Sequence, residues 1–60
     1  MLSKCERNRR IKNLKFTVTD RYVSAEDSNG TYVYRKRIDS VETEMERLKQ
    51  CFDEIYQGKR

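Results

Sequence analysis

The hydrophobic period of this chain changes once along its length, and that change limits the folds open to it. Leu14, Phe16 and Val18 alternate with Lys15, Thr17 and Thr19, the period-2 mark of a strand with one buried face. From Val41 onward the period lengthens. Val41, Met45, Leu48, Phe52 and Ile55 recur at steps of four, three, four and three, which predicts an amphipathic helix of about four turns.

The segment between these patterns reads as two further strands. A second run spans residues 21–26, and Asp27-Ser28-Asn29-Gly30 marks a tight turn, since Asn-Gly tolerates positive φ. The following Thr31-Tyr32-Val33-Tyr34-Arg35-Lys36-Arg37-Ile38 is rich in β-branched and aromatic residues. An even-numbered loop, either Asn29-Gly30 or all of residues 27–30, sets Val23 and Ala25 on one face with Tyr32, Tyr34 and Ile38. A two-residue link at Thr19-Asp20 adds Leu14, Phe16 and Val18 to that face. The opposite face then carries Lys15, Thr17, Tyr22, Ser24, Glu26, Thr31, Val33, Arg35 and Arg37. A one-residue slip scrambles such a sorting, so it argues for a three-stranded antiparallel meander. Thr19-Asp20 lacks the Gly or Asn that a two-residue turn prefers, which leaves one longer strand bulged near residue 20 as the alternative.

Asp39 or Ser40 caps the helix, with Glu42 three residues after Asp39. Glu42, Glu44 and Glu46 read as dipole compensation on a solvated side. Gly58 is a stop signal, with Lys59 and Arg60 beyond it. The expected fold is α+β: a β-β-β-α domain over residues 13–60, its helix laid across the apolar sheet face. Residues 1–12 show no convincing period and read as a basic arm or a short frayed helix.

Leu, Ile, Val and Phe total 12 of 60 residues. That supply is thin enough that a second subunit or a partner is expected to complete the core. The same stripe has coiled-coil spacing, so Met45, Leu48, Phe52 and Ile55 are the candidate self-association residues of a homodimer.

Charge is unevenly spread. Residues 1–21 hold a local balance of +5 and residues 39–60 one of −2, within a net +4. Clustered basic charge favours an anionic partner. Arg7, Arg9, Arg10 and Lys12 are candidates to clamp a phosphate backbone. Lys15, Tyr22, Arg35 and Arg37 are candidates for a central contact surface, because an arginine-bearing sheet backed by a helix can enter a DNA major groove. DNA is therefore expected ahead of RNA. The bland alternatives are a solvated tail and a solvated sheet face of mixed charge.

Catalysis is not expected. The chain has no His, the commonest general base near neutral pH, and its two glycines make no phosphate-cradling loop. Cys5 and Cys51 cannot complete a four-ligand zinc site, so no metal or cofactor is expected. They read as reduced thiols of a cytoplasmic protein. No apolar run reaches the length of a secretory signal or the ~20 residues of a membrane span. The leading expectation is a non-enzymatic nucleic-acid-binding accessory protein that acts by occupancy. The alternative is a small inhibitor or adaptor that blocks one target protein, of the kind viral and mobile genomes encode, using an edge strand or Tyr22 and Val33 as anchors. A structural subunit of a larger complex is a third possibility.

Overall fold

A computed structural model describes residues 2–58. The element order is α1 (Lys4–Lys12), β1 (Lys15–Val18), β2 (Tyr22–Glu26), β3 (Tyr32–Lys36) and α2 (Val41–Tyr56). The strands form one antiparallel sheet in the order β1-β2-β3. The fold is α+β with the expected β-β-β-α core, preceded by a short helix. Lys59 and Arg60 lie outside the described residues.

The segment read as a basic arm or a short frayed helix is helix α1. Ser3 caps it, its Oγ accepting from the Glu6 N–H at 3.2 Å. None of its residues is fully buried. It is held to α2 by Arg7, whose Nε donates to Asp53 Oδ1 at 2.9 Å, and by Arg10, which stands 5.8 Å over the Tyr56 ring. Leu2 and Ile11 pack against the core.

Strand β1 pairs with β2 as Phe16↔Ala25 and Val18↔Val23, so these four share a face as expected. The connecting link is Asp20-Arg21, one position later than the expected Thr19-Asp20. Thr19 N–H donates to Tyr22 O at 2.9 Å, and Thr19 Oγ1 accepts from the Tyr22 N–H at 3.0 Å. The threonine hydroxyl thus closes a turn that has no Gly or Asn.

The β2–β3 register departs from the expectation. Ala25 pairs with Val33 and Val23 with Arg35. The loop has three residues, Ser28-Asn29-Gly30, between the paired flanks Asp27 and Thr31. Asp27 N–H donates to Thr31 O at 3.0 Å, while Asp27 Oδ1 accepts from the Asn29 and Thr31 N–H groups at 2.9 Å each. Gly30 takes φ +87, the left-handed residue that closes three-residue hairpin loops. An odd loop inverts the parity of β3. Val33 and Arg35 therefore face α2, and Tyr32 and Tyr34 face outward, 52% and 64% exposed. Ile38, expected in the core, is 76% exposed.

Leu14, Val23, Ala25, Leu48, Phe52 and Tyr56 make the core, with Phe16, Val33, Val41, Met45 and Ile55 packed around them. Ser40 is the N-cap of α2, its Oγ accepting from the Thr43 N–H at 3.2 Å. Gly58 follows the Gln57 C-cap at φ +77, as the stop signal predicts. The buried line of α2 is Glu44, Leu48, Phe52 and Tyr56, a rotation of the expected stripe toward steps of four. Leu48 and Phe52 are wholly enclosed by the chain's own core, so they offer no surface to a second copy. Of the four candidate self-association residues only Met45 and Ile55 are half-exposed.

Tyr56 closes the far end of the core. Its hydroxyl donates to Asp27 Oδ2 at 2.7 Å in a buried bond that ties α2 to the hairpin loop. Burial pushes the Asp27 carboxyl up, but bonds from Tyr56, Thr31 and Asn29, together with the charge of Arg10, leave it below its ordinary value. Removing the phenolic hydroxyl strands a carboxylate oxygen. Tyr56→Phe is expected to destabilise the fold by about 1–3 kcal/mol, read as a lower urea midpoint at pH 7.

Candidate functional site

The pairing register sorts the chain's polar side chains into an inner and an outer set. On the inner side the centre is Glu44, whose side chain is fully buried. Its Oε1 accepts from Arg35 Nε at 3.1 Å and Arg47 Nη1 at 3.4 Å. Its Oε2 accepts from the backbone N–H groups of Ile38 and Asp39 at 3.1 and 3.2 Å. Arg47 also pairs with Asp39 at 2.6 Å. The expectation that Glu44 sits on the solvated side of the helix is therefore corrected: it closes the β3–α2 connection from inside. The Arg35 hydrogen bond is the main reason its carboxyl drops to about 2; burial opposes this, and the Ile38 and Asp39 N–H groups and the Arg47 charge assist it.

The outer sheet face carries Lys15 and Thr17 from β1, Tyr22, Ser24 and Glu26 from β2, and Tyr32, Tyr34 and Lys36 from β3. Tyr22 and Tyr34 sit diagonally across the strand pair with ring centroids 5.8 Å apart at 64°. Tyr32 and Tyr34 lie two residues apart on β3, 6.3 Å apart at 38°. Ser24, opposite both Thr17 and Tyr34, is small and covered. The three rings line a shallow hollow of about 310 Å³.

The candidate contact residues thus separate. Tyr22 and Lys15 lie on the outer face. Arg35 is turned inward onto Glu44, which corrects its expected place on that face. Arg37 is drawn to the β1–β2 turn, where Nη1 donates to Thr19 O at 2.9 Å and its backbone N–H to Arg21 O at 3.0 Å. Of the candidate phosphate clamp, Arg7 and Arg10 are engaged with α2. Arg9 is exposed but forked onto Glu6 at 2.7 and 2.8 Å, and Lys12 is exposed with no ion pair among the described residues. Sequence reasoning missed Tyr32, Tyr34 and Lys36. Gly30, at the third loop position of a possible three-residue hairpin loop, was the signal that could have found them.

Cys5 is exposed and Cys51 half-buried, both as free thiols. Among the described residues no cluster of His, Cys, Asp or Glu is placed to hold a metal ion, and no helix is long and apolar enough to cross a membrane. Comparison with protein-family models, with curated proteins and with solved structures gave no match.

The Glu44 centre has a pH signature. Its folded-state pKa is depressed from 4.5 to about 2, so the stability it confers is present above pH 4.5 and is lost as pH falls toward 2. The urea midpoint of the native chain is expected to drop across that window. In Glu44→Gln the drop is shallower and the midpoint at pH 7 is lower, whereas the exposed Glu42→Gln leaves both close to native.

Proposed function

We propose that this protein is a non-enzymatic nucleic-acid-binding module that acts by occupancy in the cytoplasm, with the outer sheet face as its contact surface. The observation that carries this reading is the combination on one face of three exposed tyrosines with Lys15 and Lys36, which make no ion pair among the described residues. Rings and cations together suit a polyanion that also has flat aromatic bases. The net charge of +4 adds a long-range attraction toward such a partner. Lys12, at the end of α1, and Arg21, in the β1–β2 turn, are exposed and add positive charge outside the strands.

The expected groove-reading arginines are replaced in this proposal. Arg35 and Arg37 act as structural ties, and Tyr32, Tyr34 and Lys36 take their place. A second reading rests on the placement of Tyr32 and Tyr34 on β3, which has an open edge. Exposed aromatic anchors beside an unpaired strand also suit a protein target whose own strand extends the sheet.

Two measurements test and separate these readings. Titration against mixed DNA and RNA oligonucleotides is expected to show binding at low salt that weakens as salt rises. No binding at low salt, or binding indifferent to salt, overturns the proposal. In affinity purification from nuclease-treated lysate, loss of the captured material supports it, and retention of one stoichiometric protein favours the second reading.

A further inference from the structure

The nucleic-acid reading leaves open which form of the polymer the face takes. Resting on that reading, we infer that the outer face selects single strands and binds them by stacking bases on Tyr22, Tyr34 and Tyr32, with Lys15 and Lys36 on the flanking phosphates.

Duplex readout uses base edges, and its usual instrument is an arginine or a polar side chain projecting into a groove. No strand position on this face is an arginine. What it offers instead is ring surface. Tyr34 is the most exposed of the three and the only one within ring contact of both others. A paired, stacked duplex presents no base faces to such rings, whereas every unstacked base has one.

The shape agrees. Ser24 places a short side chain opposite Tyr34, so the floor between the strands lies low and the rings stand around the hollow. A flat group fits there against Tyr22 and Tyr34. Lys36 lies directly across from Tyr22, and Lys15 lies on the far strand. A chain of phosphates running diagonally across the three strands from Lys36 to Lys15 passes over Ser24, with Tyr22 and Tyr34 flanking its path and Tyr32 to one side. Glu26 stands directly across from both Lys15 and Tyr32, so its carboxylate weakens the hold of Lys15 on a phosphate and leaves Lys36 the stronger of the two cations. Two lysines neutralise at most about two phosphates, so the slope of log affinity against log salt is expected to be no steeper than about −1.4, shallow for a nucleic-acid binder.

The test uses the full chain and short oligo(dT) and oligo(U), compared with a duplex of matched length by fluorescence anisotropy at low salt. Single strands of either sugar are expected to bind about tenfold tighter than duplex. Tyr34→Ala is expected to weaken that binding about tenfold, while Tyr34→Phe, which keeps the ring and loses only the hydroxyl, stays within about twofold of native. Both changes fall at an exposed position, and matched urea midpoints verify that the fold is intact. Equal or tighter binding to duplex, or a Tyr34→Phe loss as large as that of Tyr34→Ala, overturns single-strand stacking while leaving nucleic-acid binding in place. No binding to any of the three probes removes both.

Discussion

A buried carboxylate governs the arrangement of this protein. Glu44 lies one turn into α2 with its side chain wholly enclosed, and an ionised group in such a place is tolerated only if its oxygens are well supplied with donors. Two guanidinium groups and two backbone N–H groups meet that need. The N–H groups come from Ile38 and Asp39, so the carboxylate sets the path by which the chain leaves the sheet and enters the helix. Arg35 comes from β3, so the carboxylate also favours the face of the sheet on which that arginine falls. A β3 with the opposite parity removes Arg35 from the inner face and costs Glu44 its closest guanidinium. The inward arginine and the outward tyrosines are thus two consequences of one alternation.

The other end of α2 is tied in a similar manner. There the carboxylate belongs to the hairpin loop and the donor to the helix: Asp27 receives the Tyr56 hydroxyl and two backbone N–H groups. Arg10 lies over the same tyrosine ring, and Arg7 reaches Asp53 one turn earlier. A core of six buried apolar side chains is small, and its hydrophobic burial alone leaves a chain of this length marginal. Directional polar contacts at both ends of α2 add specificity that a few apolar contacts lack. They hold the register of the hairpin and the seat of α1. The added helix covers part of the core, with Leu2 and Ile11 against it.

The period of the side chains made the elements legible. Alternation over residues 14–18, the Asn-Gly turn and the stripe from Val41 to Ile55 located three strands and a helix, and the first strand pair has its expected faces. The parity of β3 was not legible from alternation. Tyr32, Tyr34 and Ile38 are apolar enough to read as inward, while Arg35 reads as outward on burial preference alone. Deciding between them takes either a three-residue reading of the loop that ends at Gly30 or the knowledge that Glu44 lies inside, a contact nine residues along the chain and on another element. Helix α1 was legible only as one of two alternatives, for a related reason. Its cap at Ser3 is ordinary, but its face is too polar to show a stripe, and what seats it is mainly two arginines, each contacting a group 46 residues away.

The chain divides its cations by chemistry. Arg7, Arg10, Arg35, Arg37 and Arg47 each engage a carboxylate, carbonyl or ring within the fold. Lys4, Lys12, Lys15 and Lys36 are exposed with no ion pair among the described residues. Arg9, Arg21 and Lys49 depart from the pattern: Arg21 is exposed in a turn, and Arg9 and Lys49 pair with Glu6 and Glu46 on their own helices. The division follows from hydration and geometry. A guanidinium sheds water more readily and offers several donors in a fixed plane, which suits a tie between elements, whereas an ammonium keeps its water and stays at the surface. The count of basic residues therefore overstates how many free cations a partner meets. The basic segment that drew attention in the sequence commits two of its four arginines, Arg7 and Arg10, to contacts with α2. A surface left with few lysines gains little from phosphate contacts alone, and the area that distinguishes it is aromatic. On the proposed nucleic-acid reading, specificity then rests on the tyrosine rings, whose outward placement depends on the carboxylate beneath the sheet.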